Sequence, residues 1–165
     1  MRSSEQQTLV LSGAAFANMM QAVLDKDSLF RFRGRGRSMI PFIRDGDVLT
    51  IAPLVRRPLR LGEVVAFVHP HGECSGPVVH RVVGRRRAGF VIQGDAGGSV
   101  QETVPPESIV GRVVKVERDG CCIRVGLGPE RRLIAWLTRT RLLWTLFWPV
   151  WNLAKTAFKG EVPCG

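Results

Sequence analysis

Lysine is scarce in this chain and missing from its middle. Of the 24 basic residues among 165, only four are lysines, and none lies between Lys26 and Lys115. A serine nucleophile needs a neighbouring base to accept its proton. The central part of the chain therefore excludes a serine–lysine dyad, and any general base there must be another type of residue.

Cysteine is also sparse, and its spacing disfavours a structural zinc site. The four cysteines are Cys74, the adjacent pair Cys121 and Cys122, and Cys164. They form no CxxC pair, and Cys74 has only His71 and Glu73 near it in sequence, which is too few ligands for zinc. We expect reduced thiols, a reducing compartment, and no metal or cofactor.

The chain lacks a recognisable membrane-spanning run. Polar residues at positions 5–7 and 18 interrupt the first 24 positions, so we expect neither a signal peptide nor a spanning helix there. The uncharged stretch of the tail, Leu142 to Ala154, has 13 residues. As a helix it would cover about 20 Å of a hydrocarbon core about 30 Å thick. These absences predict a cytoplasmic protein.

The chain does contain a large apolar fraction and a strong excess of positive charge. Its 45% apolar and 23% charged residues are typical of a globular protein, and 165 residues suit one domain. The formal net charge of +10 predicts attraction to nucleic acid or to an anionic membrane surface.

Residue patterns divide the chain into three parts. Residues 1–28 contain a helical apolar spacing over 12–26, which Ser12 could cap. Residues 29–127 contain seven β-type runs, starting at 29, 48, 63, 77, 89, 109 and 121, with a hairpin turn at "RAGF". They predict a mainly β domain, a coiled antiparallel β-sheet or barrel. Residues 128–165 form an amphipathic helical tail rich in Trp and Arg.

The tail suggests contact with a membrane surface. It holds every tryptophan of the chain, namely Trp136, Trp144, Trp148 and Trp151. Basic residues flank them across 130–159, a combination that suits an interfacial anchor on anionic lipid. The alternative is a helix folded back on the β domain or on a second subunit.

The segment "GRGRSMIPFIRDGD", residues 34–47, supports two interpretations. Arginines at 31, 33, 35 and 37 precede Ser38 at alternate positions, as in an arm that binds a polyanion. The interleaved glycines also allow a tight loop that presents one serine beside backbone N–H groups. Strand alternation puts Phe30 and Phe32 on the core side, away from the arginines. Nucleic-acid binding is therefore disfavoured, because bases need exposed aromatic rings to stack on.

Histidine is the remaining candidate for a general base. His69 and His71 lie in the turn-like "HPHGECSG", whereas His80 lies in the strand-like "PVVHRVVG". A histidine in a strand is more often structural than catalytic, so position alone does not select His80.

Five segments together resemble the signal peptidase I family of serine peptidases. They are "GRSMIPFIRDGD", "LGEVVAF", "VVHRVVG", "GFVIQGDAGG" and "VGRVV", within about residues 29–117. The similarity is to the branch in which histidine replaces the lysine base, which includes the catalytic subunit of the endoplasmic reticulum complex. This resemblance implies the family's β fold, Ser38 as nucleophile and His80 as general base. It places Gly36 and Met39 in the oxyanion and substrate loop, beside an extended peptide substrate.

Two departures from the family pattern bear on function. The aspartate that orients the histidine in that branch is replaced by Gln101, so Asp95 or Glu102 is the third member, or the site is a Ser–His dyad. We also expect the N-terminal membrane anchor of the family to be missing. We therefore expect a serine endopeptidase held at a membrane surface by residues 130–159, which matures a particular protein or peptide.

Three alternatives remain open. A self-cleaving repressor would share the fold and the Ser-Met pair, but it needs a lysine base and a DNA-binding domain larger than residues 1–28. A weak or inactive relative would bind peptides without cutting them. A basic nucleic-acid-binding module would lose affinity steeply with added salt.

Overall fold

The computed structural model describes residues 13–54, 57–69 and 76–142. Its elements in chain order are α1 (Gly13–Leu24), β1 (Phe30–Arg33), β2 (Val48–Ala52), β3 (Val64–Phe67), β4 (Val78–Arg86), β5 (Gly89–Gln93), β6 (Glu102–Val104), a 3-10 turn (Pro106–Ser108), β7 (Ile109–Arg118), β8 (Cys121–Ile123) and α2 (Arg131–Arg139). The described part of the chain is mainly β, as the sequence predicts.

All seven predicted β-type runs contain strands, and the "RAGF" turn joins β4 to β5 in an antiparallel hairpin. An eighth strand, β6, was not predicted. It has only three residues, "ETV", and pairs with β5. So short a run with a charged first residue carries no alternating apolar pattern, so only its pairing identifies it as a strand.

The strands form one antiparallel sheet in the order β1-β2-β7-β3-β4-β5-β6, with β8 paired to β7. Register shifts interrupt the pairing of β2 with β7, of β3 with β7 and of β4 with β5. Such bulges increase the local twist. Within the described residues the sheet is not closed, so it is the open sheet rather than the barrel.

Helix α1 covers the β1 end of the sheet. Ala17, Met20 and Leu24 are buried, and the ring of Phe16 makes edge-on contacts with two rings of β1. Met19 belongs to the apolar spacing that predicts this helix, but its side chain is 41% exposed rather than buried. The predicted cap, Ser12, lies outside the described residues.

Strand β1 alternates as the sequence predicts. Phe30 is buried and Phe32 is half-buried, whereas Arg31 and Arg33 are exposed. Both rings join the main core cluster, which also contains residues of β2, β3 and β7. The arginines of β1 therefore face solvent.

Helix α2 folds back on the sheet. Its buried residues are Ile134, Ala135 and Thr138, and Ala135 packs with Val83 of β4 and Val91 of β5. The first part of the predicted tail thus packs on the β domain, while residues 143–159, with three of the four tryptophans, lie outside the described residues. Over the described ranges, no helix has the length and apolarity required to cross a bilayer.

Candidate active site

The loop between β1 and β2 carries Ser38, and its two ends are held together by backbone hydrogen bonds. The N–H of Gly34 donates to the carbonyl of Asp47 at 2.8 Å, and the N–H of Gly46 donates to the carbonyl of Gly34 at 3.0 Å. These bonds extend the β1–β2 ladder by one step and fix where the loop leaves the sheet.

Within this loop, Gly36 takes a left-handed conformation with φ +107°, which favours glycine over other residues. Its N–H donates to Oδ1 of Asp45 at 2.8 Å, so this aspartate fixes the conformation of the serine loop. Met39 is buried in the core while Ser38 is exposed. The buried methionine anchors the loop and leaves the serine accessible.

At Gly94, just after β5, the backbone carbonyl of Ser38 approaches the ring of His80. A Cβ placed on Gly94 would lie 2.5 Å from the carbonyl oxygen of Ser38 and 3.2 Å from Nε2 of His80. Those two atoms are therefore less than about 6 Å apart. The Ser38 carbonyl also accepts a hydrogen bond from the N–H of Ala96 at 2.8 Å. Because Gly94 has no side chain, its own segment and those that carry Ser38 and His80 can come close together there.

His80 is the third residue of β4, and the carboxylate of Glu102 lies next to its ring. Its Nδ1 lies 3.4 Å from Oε1 of Glu102, although no hydrogen bond of normal geometry forms there. Burial lowers the pKa of His80 below its ordinary value, and the charge of Glu102 only partly opposes this effect. The imidazole is therefore mostly neutral at pH 7, which is the form that accepts a proton.

Asp95 is engaged elsewhere. Its carboxylate accepts hydrogen bonds from Nε of Arg81 at 2.8 Å and 3.1 Å and from Nη2 at 2.6 Å, and Oδ1 accepts one from the Thr138 hydroxyl at 3.0 Å. Arg81 is 0% exposed and Asp95 is 1% exposed. A fully buried guanidinium requires a charge partner. Asp95 is therefore the charge partner of Arg81, and its role as third member of the site stays a prediction.

Glu102, the other candidate carboxylate, is the first residue of β6. Gln101, at the place of the family's aspartate, turns toward α2 and donates from Nε2 to the carbonyl of Arg139 at 3.3 Å. Its neighbour Glu102 faces His80. The geometry supports the second of the two candidate carboxylates.

Two further polar residues lie at the site: His69, one of the three histidines considered as a base, and Ser99, which the sequence did not single out. Nδ1 of His69 is 3.6 Å from Oε2 of Glu102, so the carboxylate stands between two histidines, with the Phe67 ring next to both. The hydroxyl of Ser99 lies 2.7 Å from the Cβ position of Gly94. The sequence around His69 did not predict its contact with Glu102, because the pairing of β6 with β5 brings Glu102 there.

An open cleft of about 330 Å³ lies beside Ser38. It runs between the end of β1, the serine loop and the start of β4. Its apolar residues include Phe16, Phe32, Met39, Ile43, Leu49 and Val79. Arg33, Arg35 and Arg44 also line it. The cleft could hold an extended chain with an apolar side chain pointing inward.

The described residues contain no group of three or more His, Cys, Asp or Glu side chains that could hold a metal ion. His71, Glu73 and Cys74 lie outside the described ranges.

Comparison with known proteins adds no family assignment. No protein-family model matches the chain, and no curated protein matches it either. The resemblance to signal peptidase I remains a prediction from the sequence, and the function has to be argued from the geometry of the site.

Proposed function

We propose that this protein is a serine endopeptidase in which Ser38 attacks a peptide carbonyl and His80 accepts the serine proton. The observation that carries the proposal is the convergence at Gly94, where the backbone carbonyl of Ser38 and Nε2 of His80 approach one point while Glu102 lies on the Nδ1 side of the ring. A nucleophile, a base and a group that orients the base are the three parts that such chemistry needs.

Proton transfer follows from the state of His80. With its proton on Nδ1, toward Glu102, the lone pair of Nε2 is directed toward the serine loop. The hydroxyl of Ser38 rotates to this nitrogen when it attacks the carbonyl, and the imidazolium that forms is stabilised by Glu102. His80 then donates the proton to the leaving amine and later activates the water that hydrolyses the acyl-enzyme.

Backbone N–H groups are the candidates for stabilising the oxyanion. Gly36 has no side-chain hydroxyl to offer. Among the described residues, the N–H groups of Ser38 and Met39 donate to no backbone carbonyl, so they remain available for the developing negative charge. Donors that are fixed before reaction stabilise the transition state without reorganisation.

The outer edge of β1 suits an extended substrate. β1 is the first strand of the sheet, and no described strand pairs with its second edge. Because Gly34 points its N–H and carbonyl toward β2, the neighbouring Arg33 points its own backbone groups away from β2. A peptide added there as a strand would run into the cleft beside Ser38.

A fluorophosphonate probe, which labels activated serines, tests the proposal. We expect labelling of the wild-type protein, its loss in Ser38→Ala and in His80→Ala, and its retention in Ser99→Ala. Ser99 is the matched control because its hydroxyl lies near the same glycine. Labelling that survives Ser38→Ala would disprove the assignment. Peptide binding without any labelling would indicate the second candidate function, a peptide-binding relative without activity.

We also propose that α2 brings the enzyme to an anionic membrane surface. Leu133 is 59% exposed and Trp136 is 54% exposed, and Arg132 and Arg139 are exposed on the same helix. Indole and leucine side chains insert at the headgroup level while arginines contact lipid phosphates. Sedimentation with vesicles should require anionic lipid and weaken in a Leu133→Ser/Trp136→Ser variant. Equal sedimentation of this variant would contradict the proposal.

A further inference from the structure

The arginines beside the active-site cleft differ from most of the other arginines of the sheet in their partners. Arg31 pairs with Glu117 at 2.9 Å, and Arg118 pairs with Asp47 at 2.7 Å. Within residues 13–54, 57–69 and 76–142, no carboxylate lies at ion-pair distance from Arg33 or Arg35. Arg33 and Arg35 are therefore cleft-lining cations with which no carboxylate of the described residues pairs.

The acidic residues of the loop are already used by the loop itself. Asp45 accepts the backbone N–H of Gly36, and Asp47 accepts the backbone N–H of Arg44 in addition to its bonds with Arg118. These bonds set the shape of the loop, and among the described residues neither carboxylate forms an ion pair with Arg33 or Arg35. A negative charge that pairs with Arg33 and Arg35 would have to come from a ligand.

The same cleft also has an apolar floor, which an apolar group of a ligand would cover. Met39, Ile43 and Leu49 are buried in the core beneath it, and the half-buried Phe32 and Val79 also line it. A polyphosphate or nucleic-acid backbone offers charge without an apolar group to cover this floor. A peptide offers both, since alternate side chains of an extended strand face opposite directions.

We propose that this cleft selects a peptide segment that has an apolar side chain at the scissile bond and acidic side chains within two or three residues of it. The inference rests on the proposed peptidase function and names its class of substrate. The apolar side chain fills the floor of the cleft. The acidic side chains pair with Arg33 and Arg35 along the outer edge of β1.

Peptides that differ only in flanking charge measure this selectivity. Three fluorogenic peptides would share one apolar residue at the cleavage point and carry flanking Glu, Gln or Lys. With the full-length protein we expect kcat/KM for the Glu peptide to exceed that for the Lys peptide about tenfold, because each exposed charge pair contributes a few-fold. The ratio should shrink in high salt, which screens exposed charges.

Two double variants distinguish the effect of the charge in the cleft from the effect of the protein's net charge. Arg33→Gln/Arg35→Gln should reduce the ratio to about one. Arg86→Gln/Arg87→Gln removes the same charge from the exposed β4–β5 hairpin and should leave the ratio unchanged. An equal ratio for all three proteins would overturn the inference, as would tighter binding of a polynucleotide than of the Glu peptide.

Peptide binding to the Ser38→Ala protein shows whether the proposed substrate class or the proposed peptidase function is wrong. If fluorophosphonate labels wild type but Ser38→Ala binds the Glu and Lys peptides equally, the peptidase assignment stands and the substrate class is wrong. If Ser38→Ala and wild type both prefer the Glu peptide but nothing is labelled, the substrate class stands and the catalytic assignment is wrong.

Discussion

Replacing Glu102 by Gln removes one charge next to the proposed base and keeps the size of the side chain. At the observed 3.4 Å, an ion pair between Glu102 and a protonated His80 contributes about 5 kcal/mol at an effective dielectric constant of about 20 and about 1 kcal/mol in bulk water. The side chain of Glu102 is 29% exposed, so an intermediate value of about 2–3 kcal/mol applies. This stabilisation exists only when His80 is charged, as in the transition state. We expect kcat to fall roughly 30- to 160-fold.

The pH profile gives the second readout of Glu102→Gln. Burial already lowers the pKa of His80, and Glu102 is the main group that raises it. Removing this carboxylate lowers the pKa further, so His80 stays neutral to lower pH. The acidic limb of kcat/KM should therefore move to lower pH while the plateau falls.

The measurement compares pH–rate profiles of wild type, Glu102→Gln and Glu107→Gln on one fluorogenic peptide. Glu107 is exposed in the 3-10 turn after β6 and gives the same change of charge away from the site. A profile for Glu102→Gln that overlays that of Glu107→Gln would refute the role of Glu102. A fall in the plateau with an unmoved acidic limb would show that the loss comes from structural damage rather than from the charge.

Three further substitutions test other parts of the site. Asp95→Ala leaves the buried guanidinium of Arg81 without its partner and should destabilise the protein by about 3–5 kcal/mol in urea denaturation, whereas a loss below about 1 kcal/mol would contradict the buried pair. Gly94→Ala should abolish fluorophosphonate labelling with a smaller loss of stability, because its Cβ would lie 2.5 Å from the Ser38 carbonyl oxygen; retained labelling would argue against the tight approach. His69→Gln should move the acidic limb to higher pH, because the charge of His69 lowers the pKa of His80; an unmoved limb would exclude His69 from the site.

Most of the sheet could be predicted from local sequence. Burial on one face imposes alternation on each strand, and the alternation of Phe30 and Phe32 with Arg31 and Arg33 is visible without any partner strand. The hairpin between β4 and β5 is equally local. β6 has no such pattern and becomes a strand only because β5 offers it an edge.

The candidate site was predictable only in part. The lack of lysine between Lys26 and Lys115 excluded one kind of base, and the motif resemblance selected Ser38 and His80. Both residues lie at the convergence on Gly94. The choice between Asp95 and Glu102 could not be made from spacing, because it depends on which carboxylate a buried arginine requires.

The sequence by itself determined the seven predicted strands and the exposed arginines of β1, since these depend on local alternation, while the motif resemblance selected the candidates Ser38 and His80. Only the tertiary structure decided how the charges pair. Arg81 follows His80 directly, and strand alternation directs it into the interior, where Asp95 and the carbonyls of Gly62 and Gly126 accept its hydrogen bonds. Glu102 of the unpredicted strand β6 lies beside Nδ1 of His80.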